Sequence, residues 1–313
     1  MGLNYLYFIP LKCEYFELGL RTNLVYFFKA IAMIVCRYFS DNFCGETVQN
    51  LSFKVTNPNE LNDPFENSPY FRKSEEQEWD CYLKQDSTIE DLYNRMHHRL
   101  GIKDIEEFRK KWEAGAKQKV QTALMQTDVM QSLDKVKNEF SKENKILCVS
   151  DATAIEPYGD ILMWAHYSNG HKGIKISFDT EKIGWSDLKI DQVEYSEDRV
   201  MLDPIKIHKG DPTIKDDIKR ALIVKSLGWK YEQEYRWFIP VQKCELDTEK
   251  NIHFVKIPAE AIISVDIGVK ALPEIKEGIT DLMRENDLCH IEIRHAKLHE
   301  TKFTLNYETQ NFP

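Results

Sequence analysis

KSLGWKYEQEYRWFIP, residues 225–240, is the stretch whose reading decides the fold. From Glu232 onward it alternates. Glu232, Glu234 and Arg236 share one parity, and Gln233, Tyr235, Trp237 and Ile239 share the other. A period of two predicts a half-buried strand in which Tyr235, Trp237 and Ile239 enter a core while both glutamates and Arg236 project together from the opposite face. Two like charges side by side repel, so positive charge must stand against them. Arg236, as an ion-pair partner within the sheet, is the structural reading. A cationic ligand, or a transition state with developing positive charge, is the functional one. Both stay open at this point.

The surrounding composition limits the choices. A chain of 313 residues that is 42% hydrophobic and 12% aromatic can bury a substantial core, in one large domain or two smaller ones. Its formal charge of −9 argues against a broad phosphate-binding surface and so against extended nucleic-acid binding. Seven cysteines, at 13, 36, 44, 81, 148, 244 and 289, never form a CxxC pair. That fits a reducing cytoplasm and small core thiols, and implies no metal site. The apolar run LVYFFKAIAMIVCRYF, residues 24–39, is shorter than the roughly 20 residues a membrane helix needs and carries Lys29 in its middle, so no membrane association is expected. It reads as a buried helix or strand. Met33 lies within it, and residues 1–35 read as an N-terminal extension ahead of a single domain over 36–313.

Along that domain, FKVTNPNELNDPFENSP (53–69) is a loop rich in Asn, Pro and Asp. Residues 74–144 are charged and almost free of Gly and Pro, with a capping box expected at Ser87–Glu90. They read as a helical insertion. KILCVS (145–150) is a strand, DILMWAHYS is a short helix begun by Asp160, and Asn169-Gly170 turns the chain into the strand HKGIKISFD. Later strands are expected at LKIDQVEYS, YRWFIPV, NIHFVKI, IISVDIGV, HIEIRHA and KFTLNY, with helices near 214–226 and 274–285. Strands that follow one another without regular helical crossovers predict an α+β fold with a mixed or antiparallel split sheet.

Four motifs fall in order: NDPFE (62–66), CVS (148–150), MWAHYSNGHKG (163–173) and WKYEQEYR (229–236). Together they resemble an uncharacterised bacterial family, domain-of-unknown-function family 2971, from about Arg37 to about Gly268. A looser resemblance joins Arg37, Ser150 with Thr153 nearby, and Glu232-x-Glu234 to the Arg, Ser-Thr-Ser, Glu-x-Glu plan of ADP-ribosyltransferases. This chain reads SDAT where that plan has Ser-Thr-Ser.

The second resemblance implies an ADP-ribosyltransferase-like fold and a transferase or glycohydrolase that consumes NAD. It cleaves the nicotinamide–ribose bond and passes ADP-ribose to an acceptor, protein or nucleic acid, as a bacterial toxin or defence effector would. Glu234 would stabilise the oxocarbenium character of the ribose, and Glu232 would orient or deprotonate the acceptor. Arg37 would pair with the diphosphate, and Trp164 or Tyr167 would stack on the nicotinamide. Asn62, Asp63, Ser150, His166, His171 and Arg236 complete the candidate nucleotide-binding set. Each has a plainer reading: Trp164 and Tyr167 as core, the histidines as turn residues bonding carbonyls, Asp63 as a loop cap, Arg236 as the counter-ion. Lys225 is read on the helix ahead of the Glu-x-Glu. Two alternatives stand beside this one. In a metal-dependent hydrolase or nuclease, His166, His171, Asp63, Glu66 and Glu234 would converge on a divalent ion. A non-catalytic sensor would bind a nucleotide without turning it over.

Overall fold

The computed structural model describes residues 32–126, 137–209, 211–286, 288 and 290–310. The chain is α+β, and its described part divides into two compact units. Residues 1–31, most of the expected N-terminal extension, lie outside the described residues. Ile34 and Val35, which that expectation also included, are the first residues of a strand.

One unit comprises Ser68–Asn138 and Arg199–Leu222. Its helices are α2 (Glu76–Leu83), α3 (Asp86–Leu100), α4 (Ile105–Lys111), α5 (Lys117–Gln126), α7 (Pro204–Lys209) and α8 (Thr213–Ala221), numbered in chain order with those of the other unit. Trp79, Tyr82, Leu83, Phe108 and Trp112 make its core, and Ile205 joins them from the later segment. The sequence places that segment in the main domain. Its contacts place it here. The capping box lies at Glu75 and Glu78 instead of Ser87–Glu90, which falls in the first turn of α3.

The other unit is built on an eight-stranded sheet of β1 (Ile34–Phe39), β4 (Asn144–Asp151), β5 (Ile174–Asp179), β6 (Ile190–Gln192), β10 (Glu234–Pro240), β13 (Ile262–Ile267), β14 (Glu292–Leu298) and β15 (Leu305–Thr309). Its spatial order is β15-β14-β13-β5-β1-β4-β10-β6. Every neighbouring pair is antiparallel except β13 and β14, which are parallel and joined through α9 (Pro273–Glu285), as parallel neighbours require a crossover. A smaller sheet holds β11 (Glu245–Asp247), β12 (Ile252–Lys256) and β2 (Ser52–Val55).

The two faces of the large sheet differ in chemistry. Val35, Phe39, Val149, Ile176, Phe178, Trp237 and Val265 form an apolar face that packs on α9 and on α1 (Cys44–Asn50). The other parity carries Cys36, Cys148, Ser150, Lys175, Ser177, Glu234, Arg236 and Asp266. Helix α6 (Pro157–Tyr167) lies against it, with Met163 and Trp164 packed on Cys36 and Tyr38. Burial of this second face is the main departure from the expected half-buried strand: Arg236 and Asp266 are both 0% exposed. Alternation reports that two faces differ, but not whether the polar one is also covered.

The expected strands form with small changes of boundary. Glu232 ends a 3-10 turn (Leu227–Glu232), Gln233 is left-handed at φ 47°, and β10 begins only at Glu234. The expected helix over 214–226 stops at Ala221, and Lys225 lies in a short strand, β9 (Val224–Ser226), paired with β7 (Glu194–Ser196). Helix α6 opens at Pro157, placing Asp160 in its first turn. Among the described residues no helix is long and apolar enough to cross a membrane.

Strands β1 and β4 pair through only two residue pairs, Val35 with Asp151 and Cys36 with Ser150, whereas β1 pairs with β5 along its whole length. Beyond Cys36 the sheet splits, and Thr56 of the loop after β2 bridges to Ile146 of β4. The split opens a cleft. Gly173 fixes one of its supports, since a Cβ there would lie 1.8 Å from the carbonyl oxygen of Phe39. Gly173→Ala therefore should destabilise the protein by about 3 kcal/mol or more, read as a lower midpoint in urea, because backbone must move to admit one methyl group. An unchanged midpoint would show that β1 and the turn before β5 do not pack this closely.

Candidate functional site

The cleft has a volume of about 680 Å³, within the range of small-ligand sites. On its wall, Tyr167 ends α6, Glu232 ends the 3-10 turn, Glu234 opens β10, Lys225 comes from β9 and Glu66 from the NDPFE loop. The left-handed Gln233 turns the chain so that the glutamates on either side of it meet one ammonium group. Lys225 Nζ lies 2.6 Å from Glu232 Oε2, 3.2 Å from Glu234 Oε2 and 3.2 Å from Glu66 Oε1.

Arg236 holds the other side. Its Nε donates to Glu234 Oε1 at 2.7 Å, and its Nη2 donates to Glu234 Oε2 at 3.1 Å and to Glu66 Oε2. Three buried carboxylates thus share two buried cations. Tyr167 donates to Glu232 Oε1 at 2.5 Å and accepts from Asn62 Nδ2 at 3.2 Å, while the Glu234 backbone N–H donates to the Tyr195 hydroxyl at 2.8 Å.

This arrangement separates the two glutamates electrostatically. For Glu234, burial pushes the pKa up, but Arg236 and Lys225 outweigh it and hold the carboxyl at about 2. Burial raises that of Glu232 to about 7, reinforced by Glu234 and only partly opposed by Lys225. Burial works against the Lys225 ammonium, yet Glu234, Glu232 and Glu66 together keep it firmly protonated. One carboxylate is fixed in its charged form. The other is poised to exchange a proton near neutrality, the division of labour expected of acid–base pairs.

Arg37 stands on the apolar face between Val35 and Phe39, where the sheet splits, and lines the same cleft. Its Nη1 donates to the Lys54 carbonyl at 2.7 Å, its guanidinium lies 5.5 Å from the centre of the Phe39 ring, and burial lowers its pKa. Among the described residues no carboxylate pairs with it, nor with the Lys54 ammonium on the same wall. Of the other acidic residues that line the cleft, Glu46 and Asp247 pair with Lys250 and Glu245 with Lys256, while Glu60 forms no ion pair among the described residues. Phe43 and Phe254 also line the cleft.

The cleft gathers Arg37, Asn62, Ser150, Tyr167, Glu232 and Glu234 from the candidate set. The remaining candidates lie elsewhere. Trp164 is fully buried, donating Nε1–H to the Tyr307 hydroxyl at 2.9 Å, so it is core and cannot stack on a ligand. His166 is exposed against Tyr231 and Trp229. His171 is left-handed at φ 70° and stacks on Trp164, its Nδ1 buried without a hydrogen-bond partner among the described residues. Asp63 accepts from the Phe65 N–H at 2.9 Å within its own loop. Arg236 lies behind Glu234 as its counter-ion, which is the structural reading of that residue.

The convergence required of a metal-dependent hydrolase does not occur. Among the described residues no group of three or more His, Cys, Asp or Glu side chains could hold a metal ion. Where Glu66, Glu232 and Glu234 do meet, Lys225 supplies the positive charge. Sequence reasoning missed Tyr195 and the roles of Lys54 and Phe254, and placed Lys225 on the wrong element. The seven- and nine-residue spacings from Lys225 to the glutamates do not signal the contact, because the chain between them leaves β9, passes through a 3-10 turn and enters β10.

Residues 163–237 match the family model described as Protein of unknown function (DUF2971). The DUF2971 region contains Tyr167, Lys225, Glu232, Glu234 and Arg236, so it carries the charged core of the site, while Arg37, Glu66 and Ser150 lie outside it. No curated protein and no solved structure matches the chain.

The shifted carboxyls make stability depend on pH with opposite signs. Because its folded pKa is raised from 4.5 to about 7, Glu232 contributes stability that is complete below about pH 4.5 and lost as the pH rises through about 7. Glu234 does the reverse: its contribution is present above about pH 4.5 and lost as the pH falls through about 2. Glu232→Gln should therefore flatten the decline in melting temperature between pH 5 and 7.5, a window set by the Glu232 shift. Parallel wild-type and variant profiles across that window would refute the raised pKa.

Proposed function

We propose that the protein is an NAD-consuming enzyme of ADP-ribosyltransferase-like plan, which cleaves the nicotinamide–ribose bond and passes ADP-ribose to an acceptor or to water. The observation that carries this reading is the polarity of the cleft. Its lining holds two carboxyls with separated protonation together with Arg37 and Lys54, which form no ion pair with a carboxylate among the described residues. NAD has the matching distribution, a cationic pyridinium ring and an anionic diphosphate. The three motif residues of the looser resemblance also lie on neighbouring strands: Arg37 on β1, Ser150 on β4 and Glu234 on β10, with Ser150 directly opposite Glu234.

In this mechanism Glu234 acts mainly through its fixed charge. Arg236 and Lys225 occupy both its oxygens and keep it ionised, and it stabilises the developing oxocarbenium ion through that charge from a buried position. Glu232 has acceptor capacity left beyond Tyr167 and Lys225, and its raised pKa suits removal of a proton from the incoming nucleophile. Phe254, opposite Lys54 in the smaller sheet, and Phe43 line the cleft as aromatic surfaces for the adenine end.

Nicotinamide release tests the proposal, measured for wild type, Glu234→Gln and Glu232→Gln with and without cell lysate as a source of acceptor. Glu234→Gln is expected to slow release by about 10²–10³-fold with little change in NAD affinity. Glu232→Gln should impair transfer to acceptor while sparing slow hydrolysis. If the network were purely structural, either change would lower the melting temperature and leave turnover intact. Absence of NAD consumption by the wild type under both conditions would overturn the assignment.

A further inference from the structure

A second cavity, of about 420 Å³, lies on the polar face of the sheet at the other side of β1, sharing Cys36 and Tyr38 with the main cleft. The carboxylate that lines it, Asp160, and Asp266 beside its cations are already taken up. Asp160 accepts from Tyr38, Tyr307 and Lys175, and Asp266 is paired with Lys175 and Arg294. Its donors are not. Ser177 is 6% exposed and lines the cavity, and no described residue forms a hydrogen bond with its hydroxyl. Arg294 uses Nε and Nη2 on Asp266 and Ser264, leaving Nη1 without a partner among the described residues.

Ser264 is directly opposite Ser177 in the sheet, so the guanidinium bonded to Ser264 reaches the neighbourhood of the unpartnered hydroxyl. Helix α6, eleven residues long, opens at Pro157 on the cavity wall, and no side chain caps its first N–H groups. Ile34, Ile155 and Leu305 supply apolar wall.

We propose that this cavity binds a small organic monocarboxylate, its charged end held by Ser177, Arg294 Nη1 and the start of α6, and its apolar body against Ile34, Ile155 and Leu305. A monoanion is favoured over a phosphate dianion because Asp160 stands in the same wall, with Asp266 behind Lys175 and Arg294, and both would repel a second charge.

Titration calorimetry of the full chain with benzoate, and with inorganic phosphate as the contrasting anion, tests this. Benzoate should bind in the millimolar range or tighter and phosphate more weakly. Ser177→Ala, which removes a hydroxyl that no described residue uses, should weaken benzoate by about tenfold with an unchanged melt, since a hydrogen bond to a charged group is lost. Arg294→Lys, which keeps the charge but not the Nη1 donor, should also weaken it. Glu232→Gln, in the other cleft, should leave benzoate binding as it is. Failure of benzoate to bind, equal binding by Ser177→Ala, tighter binding of phosphate, or loss on Glu232→Gln would each overturn the proposal.

Discussion

The rest of the sheet unit depends on the compensation of Glu66, Glu232 and Glu234 by Lys225 and Arg236. Isolated ions in a protein interior are too costly to survive unpaired, and here five of them meet at one end of a buried face. Four segments must arrive together for the charges to balance: the NDPFE loop, β9, the 3-10 turn before β10, and β10 itself. Such a network is weak evidence for net stability, because a well-packed apolar core of the same volume can be equally stable. What the network sets is a high cost for separating those segments, since losing one partner strands the others.

The same polar face continues across the whole sheet. Glu234 pairs with Ser150, Ser150 with Cys36, Cys36 with Ser177 and Ser177 with Ser264, and a parallel row joins Tyr38, Lys175, Asp266 and Arg294. A covered face would ordinarily be filled by Val, Ile and Leu. Here it holds two charge clusters with a cavity beside each, while the opposite, apolar face carries the stability of the unit.

Much of this was legible in the sequence. Tyr235, Trp237 and Ile239 announce their strand by parity, and MWAHY followed by Asn-Gly announces a helix and a turn. What stayed hidden depended on context. Parity assigns Glu232 and Glu234 to one face, but the chain reaches that outcome through a 3-10 turn and a left-handed Gln233, which no propensity at Gln233 signals. Trp164 and Tyr167 read alike at three-residue spacing. Only the packing of α6 makes one core and the other a cleft residue. His166 and Asp63 have residue types that suit a site, yet their positions within α6 and the NDPFE loop point them elsewhere. Residues 199–222 join the helical unit through Ile205, a tertiary contact with no local trace.

The split between β1 and β4 places two strand edges inside the sheet instead of at its rim. Along Arg37–Phe39 every second peptide group faces the cleft, with no ladder partner on that side among the described residues. These groups are donors and acceptors fixed in an extended geometry, but recessed so that another protein's strand cannot easily pair with them. In hydrogen-exchange terms, the centre of the sheet has a seam of labile amides that strand order alone would class among the most protected, and any molecule filling the cleft would write its presence there as protection.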